Sequence, residues 1–200
     1  MKFSKFISII LHPIFMPLLA LCLSLAFVPE IKFAIRQNLT IIFVIVIIST
    51  VFLPLISILF LVKNGRLSSL EMTDHRERIL PLFKTVFWMS LGYFFLQNYL
   101  IYAALLKAEL LGAIFIIVIA AAISRFWKIS LHMLGIGGVL GVVISLQILY
   151  KNMNNLIVLF VFLSGVLAFA RLNQKAHNHT QVYVGFLLGL TIEMLVLLNY

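Results

Sequence analysis

Three short segments carry most of the reactive side chains in this 200-residue sequence. They are Arg76-Glu-Arg78-Ile-Leu-Pro81, Lys128-Ile-Ser130-Leu-His132, and Arg171 followed after five residues by His177 and after three more by Gln181. Arginine offers a planar fork of donors to phosphate oxygens and lysine a point charge. Histidine titrates near neutral pH and can serve as nucleophile, acid or base. Those three residue types together suit phosphate chemistry. They suit a metal less well, because zinc wants three or four His, Cys or carboxylate ligands without a crowd of cations. His177 and His179 are two apart and do not share a helix face. Cys22 is the only cysteine, which excludes disulfides and cysteine metal sites.

The elements that must position these segments are membrane helices. The chain is 64% hydrophobic and only 10% charged, with a mean hydropathy of +1.17. A soluble domain carries about a quarter charged residues, so a cytosolic enzyme, a disordered regulator and a secreted disulfide scaffold are excluded. A spanning helix needs about 20 mostly apolar residues. Runs that satisfy this lie near 6–28, 39–62, 82–106, 110–123, 131–150, 156–170 and 182–198. Lys107 and Glu109 read as a tight turn between the third and the short fourth. The runs are continuous rather than alternating, which favours helices over a barrel. Lys2 and Lys5, with Ser24 and Ala26 further on, have the pattern of a signal peptide and its cleavage site. The run is long, however, and reads better as a retained helix, kinked or partly re-entrant at Pro13 and Pro17. The expectation is one all-α polytopic bundle of six to seven spans, with no separate soluble domain.

Alternation of the spans places the loops at 63–80, 124–130 and 171–180 on the same face as the N-terminus. That face collects eleven of the fifteen basic residues and four of the five histidines, His75, His132, His177 and His179. The net charge of +9 therefore points to anionic lipid rather than nucleic acid. Gly137 and Gly141, and Gly185 and Gly189, have small-xxx-small spacing, which predicts close packing of the fifth and last spans. His12 reads as a packing or kink residue. Glu193, inside the last span, is either a costly functional carboxylate or a group near the opposite interface.

The three segments resemble, in order, the three signatures of the type 2 phosphatidic acid phosphatase superfamily. Arg171-x5-His177-x3-Gln181 is similar to Ser-Arg-x5-His-x3-Asp, Lys128 to His132 is similar to Pro-Ser-Gly-His, and Arg76 to Pro81 is similar to Lys-x6-Arg-Pro. The resemblance covers residues 70–190 and leaves the first span outside it: residues 39–200 would be a six-helix phosphatase-like core and 1–38 an added span and loop. It implies hydrolysis of a lipid phosphate or isoprenoid (di)phosphate through a phosphohistidine, with no metal or other cofactor. The partners implied are membrane lipids and a phosphorylated lipid substrate. His177 resembles the nucleophile and His132 the general acid, with Arg171, Ser130, Arg76 or Arg78 and Lys128 as the phosphate clamp. The sequence departs from the pattern where the Asp that orients the nucleophile should stand, because that residue is Gln181. An amide can accept a hydrogen bond from imidazole, but it supplies no charge and permits the wrong tautomer. An Asp-to-Asn change in a serine protease triad costs about 10⁴ in kcat. Glu71, Asp74 and Glu77 are the acids of the motif loops, the candidates to assist in its place. Lys and Pro of the first and second signatures also lack counterparts.

Two other readings stay open. One is a catalytically weakened relative that binds or moves an anionic lipid. The other is a small transporter with Glu193 at its midplane, which the clustering of cations at one end disfavours. The resemblance implies residence in a bacterial inner (cytoplasmic) membrane. Charge counting, at 11 to 4, puts the basic face in the cytoplasm, whereas the resemblance leans to the outer side.

Overall fold

The computed structural model describes residues 2–70, 72 and 74–200, so Glu71 lies outside the described residues. The described residues form α-helices joined by short turns, with no strand among them. The helices are α1 (Lys2–Ile10), α2 (Met16–Phe27), α3 (Pro29–Ala34), α4 (Leu39–Ile47), α5 (Leu53–Lys63), α6 (Ile79–Leu96), α7 (Ala104–Ile123), α8 (Leu131–Tyr150), α9 (Asn154–Asn173) and α10 (His179–Asn199). Pairs α1–α2 and α4–α5 each make one broken span. Among the described residues seven helical segments are long and apolar enough to cross a membrane. The chain is an integral membrane protein built as a helical bundle.

Both broken spans owe their breaks to proline. Pro13 has no N–H and pushes the residue before it out of the helical region. His12 accordingly has extended backbone, with φ −71° and ψ 136°, and its Nδ1 accepts the N–H of Ile14 at 3.3 Å. The helix restarts at Met16 with Pro17 in its first turn. In the second span, the ring of Pro54 would strike the carbonyl of Thr50 in a regular helix. The chain widens there into a π-helical turn, Ile48–Phe52, the usual device for such a conflict.

The turn between the third and fourth spans is displaced from where the charges suggested. Helix α6 stops at Leu96, the chain turns through 97–103, and α7 then runs unbroken for 20 residues. Lys107 and Glu109 are inside α7. The turn is carried instead by the polar Gln97-Asn98 pair and its neighbours. Glu109 tolerates the helix because it faces the bundle interior, where the Ser24 hydroxyl donates to its carboxyl group.

Helix α8 is the centre of the bundle: 12 of its 20 residues are buried. It packs on α10 most extensively, and also on α9, α2 and α7. The glycines permit this. A Cβ added to Gly137 would collide with the Phe186 carbonyl, and one added to Gly189 with the Leu134 carbonyl. Backbone meets backbone at the α8–α10 crossing, the arrangement that small residues allow in membranes. Outward-facing Phe94, Val158 and Phe162 are 65%, 70% and 66% exposed and meet lipid, which is as apolar as they are. Replacing Gly189 by Val should therefore prise α8 and α10 apart. The expected loss is about 1–3 kcal/mol, the usual cost of overpacking, read as a lowered thermal midpoint in detergent. The same change at Gly165, where a Cβ meets nothing within 4 Å, should leave the midpoint in place.

Candidate functional site

The α8–α10 crossing brings the starts of both helices together, and these starts hold two of the three segments. The backbone N–H of Ser130, which precedes α8, donates to the Gln181 carbonyl in the first turn of α10 at 3.3 Å. The first segment joins through Arg78, which is 6% exposed. Its Nη1 donates to the Ile129 carbonyl at 2.9 Å and its Nε to the Met72 carbonyl at 3.1 Å. His75 adds a second tie, donating from Nδ1 to the Ser124 carbonyl at 2.7 Å. All three loops thus meet at one end of the bundle.

A cavity of about 710 Å³ opens among them and runs into the bundle. Its polar end is lined by Arg78, Lys128, Arg171, His132 and His177. Lys5, Ser8 and His12 of the first span, with Gln174 and Lys175, line it as well. The middle is walled by apolar residues such as Ile58, Leu82, Ile116 and Val139. The inner end carries Glu109 and Glu193, both buried. Glu193 follows Gln181 by 12 residues, which places it about 18 Å further along the helix axis. It belongs to the bundle interior, not to the opposite interface.

Not every residue of the three segments faces this space. Arg76 is exposed outside it, and its backbone N–H is capped by Asp74. Ser130 is fully buried and is not part of the cavity lining. Gln181 stands behind His177. Of the acids in the motif loops, Asp74 is exposed and Glu77 accepts from the Ser68 hydroxyl at 2.7 Å. Neither lines the cavity.

The Gln181 amide is held in a helix cap, and this decides the His177 tautomer. The Asn178 side chain accepts the Gln181 backbone N–H at 2.9 Å, and Gln181 Oε1 accepts the Asn178 backbone N–H at 3.3 Å. This is the reciprocal capping box. A backbone N–H can only donate, so the amide presents its oxygen there. The same oxygen lies 3.0 Å from His177 Nδ1, and because it can only accept, Nδ1 carries the proton. Nε2 is left with the lone pair. The other tautomer, which a freely turning amide would permit, is excluded by the cap. His132 is fixed just as firmly: its Nε2 lies 3.0 Å from the Ser8 carbonyl and must donate to it. Its ring packs edge-on against His12, with centroids 5.2 Å apart.

The electrostatics are one-sided. Burial pushes the His177 pKa down to about 4; the bond to Gln181 opposes that fall, and Arg171, Arg78 and Lys128 add to it. Lys128 is also lowered, first by burial and then by Arg78 and Arg171, with Asp74 opposing. Cations that repel one another around a confined space favour an anion within it. Among the described residues no three His, Cys, Asp or Glu side chains converge as a metal site. No protein-family model, curated protein or solved structure matches the chain.

The lining also includes polar residues that the three segments do not single out, among them Lys5, Ser8, His12, Gln174 and Glu109. The available signal was weak: Ser4 and Ser8 are polar at i, i+4 in an apolar run, and His12 sits directly before a proline. The His177 titration supplies a test. In the wild type its midpoint, followed by NMR of labelled histidine, should lie near 4. In Arg171→Gln it should move up towards the ordinary value near 6.5, because a repelling cation has gone. A group whose folded pKa is depressed adds stability that is present above the unfolded value and lost as pH falls. Acidification from about 6.5 towards 4 should therefore destabilise the wild type more than the variant.

Proposed function

We propose that this protein is a membrane phosphatase that hydrolyses a lipid phosphate or isoprenoid (di)phosphate through a phosphohistidine on His177. The observation that carries the reading is the single cavity that joins a cationic, histidine-lined mouth to an apolar interior. A phosphorylated amphiphile needs both: cations for the headgroup and an apolar wall for the chain. The order of the three segments, and their resemblance to the phosphatase signatures, point the same way. Residence in a bacterial inner membrane follows from that resemblance.

The chemistry follows from the tautomers. Arg78, Lys128 and Arg171 hold the phosphoryl oxygens and stabilise the charge that grows on them. The Nε2 lone pair of His177 forms the N–P bond while the bond from phosphorus to the leaving oxygen breaks. That oxygen takes a proton from His132. Since Nε2–H of His132 is committed to Ser8, the proton is delivered through Nδ1, which takes it from the monoanionic form of the bound phosphate and passes it to the leaving oxygen. Water then attacks the phosphohistidine, passes a proton through His132 to the phosphate and releases inorganic phosphate and free His177. Positive charge develops on His177 in the first step, and Gln181 offers it a dipole but no countercharge. That lack is the observation favouring the second reading, a weakened relative that binds an anionic lipid.

Phosphate release from a panel of lipid phosphates tests the reading. His177→Ala should abolish release. Gln181→Glu, which keeps the side-chain length that reaches both Nδ1 and the cap, should raise kcat by about tenfold or more, since a charged partner is worth up to about 10⁴ in a related setting. Release that survives His177→Ala unchanged removes the nucleophile and the mechanism with it. Binding of lipid phosphate without release by the wild type selects the second reading.

A further inference from the structure

The N-terminal helix turns its apolar residues outward and buries its two serines. Phe3, Phe6, Ile9 and Ile10 of α1 are all more than half exposed, whereas Ser4 and Ser8 are 1% and 6% exposed. Ser4 and Ser8 are the only buried residues of α1. Four residues apart, they share one face, and that face packs on α9. Small size alone would explain close packing, but alanine would serve that purpose as well. These hydroxyls are used. The Ser4 hydroxyl accepts from Asn173 at 2.8 Å. The Ser8 hydroxyl accepts from Arg171 Nη1 at 3.2 Å and from Gln174 Nε2 at 2.8 Å.

Ser8 has a second attachment. The break at His12-Pro13 ends α1 at Ile10, so the Ser8 carbonyl is among the last four of its helix and has no intrahelical partner. It also lies at the negative end of the helix dipole. His132 Nε2 donates to it at 3.0 Å. One residue of a span that the phosphatase resemblance leaves out thus touches both a cation and a histidine of the cavity mouth.

We propose that Ser8 is the positioning residue of the anion site, aiming the Arg171 guanidinium through its hydroxyl and fixing the His132 ring through its carbonyl. The proposal rests on the cavity being the phosphate site. The first span is then a working wall of that site, and the proline break has a purpose: it frees the carbonyl that His132 uses.

The experiment compares full-length wild type, Ser8→Ala and Ser4→Ala in detergent. The probe is a non-hydrolysable single-chain alkyl phosphonate, with the uncharged alcohol of the same chain as its reference. Ser8→Ala keeps the small side chain and the carbonyl but removes the bonds to Arg171 and Gln174. A hydrogen bond to a charged donor is worth enough to change binding by about tenfold. Phosphonate binding should weaken by about that factor in Ser8→Ala, with binding of the alcohol unchanged. Ser4→Ala should weaken neither. In turnover, KM should rise and kcat should fall as well, because Arg171 both holds the phosphoryl oxygens and stabilises the charge that grows on them. Equal losses for both serines, or a loss that extends to the alcohol, would reduce Ser8 to packing and overturn the proposal. Unchanged phosphonate binding in Ser8→Ala overturns it too. If the wild type releases no phosphate yet shows the Ser8-dependent phosphonate preference, the phosphatase reading fails while the positioning role stands. A wild type that does not bind the phosphonate removes both.

Discussion

The close approach of α8 and α10 governs this molecule. Membrane helices gain little from burying apolar side chains against one another, since lipid is equally apolar; van der Waals contact must do more of the work. Glycines at 137 and 189 let two backbones touch where any Cβ would collide with a carbonyl. The contact also sets the positions of the helix starts. Ser130 and Gln181 share a backbone hydrogen bond, so His132 and His177, one turn or less from those points, are held at the same cavity. Arg78 joins by spending two of its donors on carbonyls of neighbouring loops.

Charge is placed in this bundle along a gradient. The cations collect at the end where three loops meet, the middle of the cavity is apolar, and two carboxyl groups close its inner end. An ionised group inside a bilayer is costly and persists where it faces a cavity or a partner. Arg78, Lys128 and Arg171 lie close enough to depress the His177 pKa together, which keeps that imidazole neutral well below physiological pH. A neutral ring with Nδ1–H committed to Gln181 keeps its lone pair on Nε2. Local helix-capping rules, which usually concern stability alone, here select a tautomer.

The proline breaks serve the same end. A straight first helix would satisfy its own carbonyls and leave His132 without an acceptor. Ending α1 early exposes the Ser8 carbonyl to His132 and puts His12 on the cavity wall. The π turn ahead of Pro54 likewise places Thr50 and Pro54 along the cavity.

Much of this was legible in the residues themselves. Hydrophobic runs of about 20 residues determine spanning helices because no other local structure satisfies the backbone in lipid. Alternation of those runs determines that three basic loops share an end, and glycine spacing determines which helices can touch. The turn at 97–103 was not legible from charge: Lys107 and Glu109 look like loop residues until Glu109 is seen to face Ser24, a partner 85 positions away. Nor could spacing tell Arg78 from Arg76, two residues apart in sequence, of which one enters the cavity and the other faces outward. Ser8 and His12 reach the site only through contacts with residues more than 100 positions distant. Periodicity and composition are local quantities, and they determined the helices and their order. Which side chains converge depends on how far each helix is rotated and how closely it packs, and those are settled only when all the helices compete for the same space.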